Sequence, residues 1–114
     1  MWIMIAGPYT SGPGGAAGRA ANLAAMNRAA LAVWQRGHVP VIGVNMALPV
    51  IGAAGEDQFE AIMMPLSLAL AARCDAVLRI GGPSSGADRE VELIEKKGGK
   101  VFRDVAEIPD AKVK

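Results

Sequence analysis

Apolar residues recur along this chain in two alternating patterns, short unbroken runs and longer stretches spaced three and four residues apart. Trp2-Ile3-Met4-Ile5-Ala6 is a short run that stops at Gly7-Pro8, as expected of a strand covered on both faces. A glycine- and proline-rich loop, Gly7 to Gly15, surrounds the polar trio Tyr9-Thr10-Ser11. From Ala17 to Arg36 the period is helical: Leu23, Met26, Ala30, Val33 and Trp34 form a stripe, while Arg19, Asn27, Arg28 and Gln35 lie mostly off it, and Gly37 closes the helix.

His38 to Val44 reads as a second strand. The segment Gly43 to Asp57, with its glycines and Pro49, reads as a long loop, and long loops in small domains often carry function. Glu56-Asp57-Gln58-Phe59-Glu60 opens the next helix with negative charge, and Pro65 predicts a kink or break near Met64. The following run, Leu66 to Ala72, is apolar nearly all round, which places it deep in the core or in a subunit interface.

Ala76-Val77-Leu78-Arg79-Ile80 forms a third strand that stops at Gly81-Gly82-Pro83, and a helix follows from Ala87. Ala87, Val91 and Ile94 share its inner stripe, with Asp88, Glu92, Glu95 and Lys96 opposite. Glu90 falls on the edge of the inner stripe. It is either an acid favoured by the helix start, beside Ser85 as N-cap and Asp88 in a capping-box role, or an acid held for a ligand. Gly98-Gly99 ends that helix, Lys100-Val101-Phe102 makes a fourth strand, and Val105 to Ile108 is at most a helical turn.

Alternation of strand and helix implies an α/β fold, a three-layer Rossmann-like parallel sheet with helices on both faces. The simplest strand order is 2-1-3-4, as in flavodoxin-like folds, and ligands bind where the order reverses, outside the carboxyl ends of the first and third strands. That geometry brings Tyr9 toward Ser85, Gly86 and Glu90. An antiparallel sheet, or a Glu90 facing solvent far from Tyr9, would remove this convergence.

At 114 residues the chain is a single domain, and 52% hydrophobic with 20% charged residues marks a globular one. A net charge of +1 with no basic, aromatic-interleaved run gives no reason to expect a nucleic acid polymer as partner. Cys74 is the only cysteine, so neither a disulfide framework nor a cysteine-based zinc site is available, and its apolar setting suggests an inert thiol. One histidine and scattered carboxylates offer no metal-ligand spacing. His38 lies at a helix-to-strand junction, on the side of a parallel sheet away from ligands, and is expected to be structural. The run from Val39 to Gly55 is too interrupted for a membrane span, and the stretch Met1 to Ala6 lacks a basic n-region and is too short for a signal h-region, so a cytoplasmic protein is the expectation. Two nucleotide motifs fail: Gly12 is followed by Pro13 where a P-loop needs lysine, and the Gly12-to-Ala17 match to a dinucleotide fingerprint starts too far past the strand.

Ile5-Ala6-Gly7-Pro8-Tyr9, Arg36-Gly37-His38, Cys74-Asp75-Ala76-Val77 and above all Ser85-Gly86-Ala87-Asp88-Arg89-Glu90 resemble the nucleoside 2-deoxyribosyltransferase superfamily, from Met1 to about Phe102. That superfamily includes deoxynucleoside 5′-monophosphate N-glycosidases. The resemblance implies cleavage or transfer of an N-glycosidic bond without a cofactor. Glu90 would be the nucleophile that attacks the anomeric carbon, and Tyr9 the hydroxyl that steadies it. Gly7, Thr10, Asn45, Ser85, Gly86 and Ala87 are the candidate contacts to a nucleoside or nucleotide. Relatives form homo-oligomers, so a homo-oligomer is expected here. Where relatives often carry an aspartate that serves the departing base, this chain has Ser67; Asp57, Asp88 or a partner subunit are then the candidate acids. A nucleotide-binding module without turnover and a phosphoribohydrolase are the competing readings, the latter because Gly81 to Glu90 loosely resembles its glycine-rich loop.

Overall fold

The computed structural model describes residues 1–111. Four parallel strands, β1 (Trp2–Ala6), β2 (Val39–Val41), β3 (Ala76–Arg79) and β4 (Lys100–Phe102), form one sheet in the order β2-β1-β3-β4. Four helices connect them: α1 (Gly15–Gln35), α2 (Gly43–Ala54), α3 (Phe59–Ala71) and α4 (Ser85–Lys96). The expected α/β architecture and strand order are therefore present. The order reverses between β1 and β3, whose registers pair Ile3 with Ala76 and Ala6 with Arg79.

Strand alternation sends side chains to two cores. Ile3, Ile5, Ala76 and Leu78 pack with Met26 and Val33 of α1, while Met4, Ala6 and Val77 pack with Ala71 and Cys74 and with Ala87, Val91 and Ile94 of α4. The central strands β1 and β3 are buried on both faces. Strand β2 is shorter than the sequence suggested and lies at an edge, which is where Pro40 is tolerated.

Residues 43–54, read from the sequence as loop, form α2. Val44, Ala47, Leu48 and Ile51 are spaced for one helical face, and that face packs on α3 around Met63. Pro49 does not break α2, nor does Pro65 break α3. Each proline removes an N–H that would bond the carbonyl four residues back, Asn45 and Ala61 respectively, and all four residues are exposed, so water can serve the freed carbonyls. The apolar run after Pro65 is divided: Ser67 and Ala71 are buried, Leu66, Leu68 and Leu70 are half-buried, and Ala69 is exposed. Trp34, expected on the inner stripe of α1, is 60% exposed because it lies about 100° around the helix from buried Val33.

At the base of the sheet, Asp75 accepts a hydrogen bond from the Trp2 N–H at 2.8 Å, which gives the Cys-Asp pair a structural role. His38 is buried, with Nδ1 2.9 Å from the Met1 amino nitrogen and Nε2 2.6 Å from the Pro109 carbonyl oxygen. Both ring nitrogens are engaged far from the carboxyl ends of the strands. Burial pushes the Cys74 thiol above its ordinary pKa, with the Lys97 charge acting the other way, so it is a poor nucleophile.

The helix pair α2–α3 depends on Gly43. A Cβ there would lie 2.3 Å from Ser67 Oγ and 2.8 Å from Ser67 Cβ. Gly43→Ala is therefore expected to lower unfolding stability by about 1–3 kcal/mol in denaturant titrations, through overpacking. Adding Ser67→Gly should recover part of that loss; an additive further loss would show that the contact is not the cause.

Candidate functional site

Two loops meet at the carboxyl ends of β1 and β3. The chain turns sharply there because Gly81 adopts φ +76°, a conformation few other residues accept, and a Cβ on it would sit 2.7 Å from Cδ of Pro8. Each loop is pinned by one side chain. Asn22 of α1 donates from Nδ2 to the carbonyls of Tyr9 (2.9 Å) and Ser11 (3.1 Å). Arg79, the last residue of β3, donates to the carbonyls of Ile80 and Gly82 and from Nε to Asp88 Oδ1 at 3.2 Å. Its side chain is 8% exposed, and each of its three nitrogens donates one bond, two to carbonyls of the turn and one to Asp88.

The turn delivers the chain into α4. Ser84, rather than Ser85, is the N-cap: its Oγ accepts from the Ala87 N–H at 3.1 Å. Asp88 does not serve as a capping-box partner but pairs with Arg79. With the Ala87 amide taken by the cap, the first-turn amides without an acceptor inside the helix are those of Ser85 and Gly86.

Between the loops, α3 and the start of α4 lies a cleft of about 290 Å³. Ligand pockets run from roughly 300 Å³ upward, so it would hold a small molecule closely. One wall is apolar, made by Val44 of α2 and Phe59, Met63 and Met64 of α3. The other is polar, made by Ser84, Ser85 and Gly86 at the start of α4, with Tyr9, Thr10 and Ser11 from the first loop. A Cβ on Gly86 would lie 3.1 Å from Met64 Sδ, so this glycine lets the two walls approach. A more open hollow of about 540 Å³ shares Ser11, Ser84 and Ser85 with the cleft and extends past Pro83.

Glu90, on α4, is the buried acid of the cleft. It is 7% exposed, lines the cleft, and accepts no hydrogen bond from any described residue. Burial raises its carboxyl to about pKa 8, against the charge of Arg79, which lowers it. In the empty cleft at neutral pH the group is therefore mostly protonated. Donors brought by a ligand would shift it toward the carboxylate.

Of the residues singled out from sequence, Gly7, Tyr9, Thr10, Ser85, Gly86, Ala87 and Glu90 all line this cleft. Asn45 does not: it is an exposed residue of α2 whose Nδ2 donates to Asn27 Oδ1 at 2.8 Å. Ser67 is sealed beneath Gly43, so an acid at that position could not reach the cleft without moving α2. Asp57 is exposed in a short 3-10 turn outside the cleft, and Asp88 is on the far side of Arg79. The sequence reading missed Glu60 and Arg89, both of which line the cleft. Glu60 stands three and four residues before Met63 and Met64, a spacing that places it on their face of α3. Among the described residues no cluster of three or more His, Cys, Asp or Glu side chains converges as a metal ligand set. No helix among them is long and apolar enough to cross a membrane.

Glu90 should make stability fall with pH. In the unfolded chain its carboxyl ionises near 4.5, in the folded protein near 8. Between those values the folded state holds the extra proton, so stability is greatest below 4.5, declines as pH rises and levels off above 8. Glu90→Gln should therefore match wild type near pH 4 and exceed it by a few kcal/mol at pH 8 to 9. Parallel unfolding curves across pH check this; an unchanged difference between the two proteins would contradict it.

No protein-family model matches the chain, and no curated protein matches it significantly, so the chemistry of the site rests on its own geometry.

Proposed function

We propose that this protein cleaves or transfers the N-glycosidic bond of a nucleoside or nucleoside 5′-monophosphate, as its resemblance to the nucleoside 2-deoxyribosyltransferase superfamily implies. The observation that carries this reading is Glu90, a buried carboxyl with no hydrogen-bond partner among the described residues, lining a cleft with one apolar and one polar wall. A nucleoside has the same division. Its flat base suits Val44, Phe59, Met63 and Met64, and its sugar hydroxyls suit Ser84, Ser85 and the free amides of the α4 start. The anomeric carbon lies at the junction, where Glu90 is.

In this mechanism the Glu90 carboxylate attacks that carbon as the base departs, forming a glycosyl ester that water or a second base then resolves. The transition state carries positive charge on the sugar ring, which a carboxylate in a low-dielectric cleft stabilises more strongly than water would. Tyr9 and the sugar hydroxyls supply hydrogen bonds that favour the ionised form. A 5′-phosphate, in substrates that have one, would extend past Ser84 and Ser85 into the adjoining hollow.

The raised pKa of Glu90 favours a second reading of the same site, in which protonated Glu90 gives its proton to the leaving base and water attacks directly. Ser67 no longer argues for a binding module that has lost turnover, because its contact with Gly43 accounts for a small residue there.

Chromatography of deoxynucleosides, ribonucleosides and their 5′-monophosphates should detect base release by wild type and none by Glu90→Ala. Ligand-dependent thermal shifts without release from any of them would overturn the enzymatic reading. As a nucleophile Glu90 must be ionised, so kcat/KM should rise with pH on a limb centred near 8; as an acid, the limb should fall instead.

The reading also carries a homo-oligomer. Leu31, Trp34, Met46 and Val50 are large apolar side chains left 41–60% exposed on α1 and α2, and they support self-association there instead of through the run after Pro65. Light scattering should give more than one chain per particle, shifting toward one in Trp34→Glu.

A further inference from the structure

The cleft contains a second carboxylic acid. Glu60 lies in the first turn of α3, on the same wall as Phe59, Met63 and Met64, while Glu90 belongs to α4. Negative charge in a helix's first turn needs no function to explain it. Glu60 differs from its neighbours Glu56 and Asp57 in that it lines the cleft and they do not. Neither Glu60 nor Glu90 forms an ion pair or accepts a hydrogen bond from a described residue. Two acids from different helices therefore line one small cavity, one buried and one exposed.

We infer that Glu60 is the catalytic acid and base of the reaction, giving a proton to the departing nucleobase and later taking one from the acceptor water. The inference rests on the glycosyl-transfer reading of the cleft. Its basis is position: the apolar wall is where the base would lie, and Glu60 is the only carboxyl on that wall among the described residues that line the cleft. In the first step, the Glu60 proton moves to a ring nitrogen or exocyclic oxygen of the base. The electron pair of the breaking C1′–N bond stays with the base, and a Glu90 oxygen bonds to C1′. In the second step, water bonds to C1′ and loses its proton to the Glu60 carboxylate, while the ester C1′–O pair returns to Glu90. Both carboxyls end as they began. Position 67, buried under Gly43, is replaced in this task by a residue about two turns earlier in α3 that lines the cleft.

A leaving group that needs no proton separates this role from a structural one. Wild type, Glu60→Gln and Glu90→Gln are assayed for base release from 2′-deoxyguanosine and its 5′-monophosphate, and from the N7-methyl derivatives of both, whose cationic base departs unaided. In the first turnover, Glu60→Gln is expected to lose about 10²–10⁴-fold in the rate of base release from the unmethylated pair and to keep the wild-type rate on the methylated pair, whose later turnovers slow because water attack still needs the Glu60 carboxylate. Glu90→Gln should lose both. Equal first-turnover losses by Glu60→Gln on all substrates, or no loss on any, would overturn the assignment. If Glu90→Gln, and not Glu60→Gln, retains the methylated pair, Glu90 is the acid and the assignment is also wrong. Wild type inert toward all of them removes the glycosyl-transfer reading itself.

Discussion

A carboxyl taken out of water without a donor to replace it resists ionisation, and the surroundings of Glu90 are built around that constraint. The sheet places β1 and β3 side by side with their carboxyl ends together, so their loops must diverge and leave a gap. Helix α4 packs against the sheet through the stripe Ala87, Val91 and Ile94, and Glu90 is buried along with them. Nothing in the helix's own packing requires an acid at that position. An alanine or leucine there would satisfy the stripe at less electrostatic cost.

The elements that fix Glu90 also shape what could bind it. Arg79 donates to the turn and to Asp88 and makes no hydrogen bond to Glu90; its charge lowers a pKa that burial raises. Asn22 performs the matching task on the first loop and sets the position of Tyr9. Two side chains in the sheet-facing layers thus hold two loops whose own sequences, rich in glycine and proline, would otherwise be free.

Much of the fold is legible in the sequence because each strand and helix keeps one period over its whole length. Helix α2 is the exception. Gly43, Pro49, Gly52 and Gly55 read as loop, although Val44, Ala47, Leu48 and Ile51 carry a helical stripe; packing on α3 outweighs the weak local propensity. The site is legible where it depends on topology, as with Tyr9, Ser85 and Glu90, and illegible where it depends on which residue wins a local contest. Ser84 takes the cap that Ser85 was expected to hold, and Asn45 turns to Asn27 once α2 forms. Glu60 was hidden by its neighbours, since three acids near a helix start look alike until Met63 and Met64 show which one faces inward.

The central claim is that Glu90 forms a bond to the sugar. It is tested most directly by incubating the protein with a 2′-deoxy-2′-fluoroarabino nucleoside, whose fluorine destabilises the positive charge of both steps and allows a glycosyl ester to accumulate. Intact-protein mass spectrometry should then show a gain equal to the fluorosugar, located by peptide mapping on Glu90. Release of base without any adduct, or an adduct on a different carboxylate such as Glu60, would contradict the account.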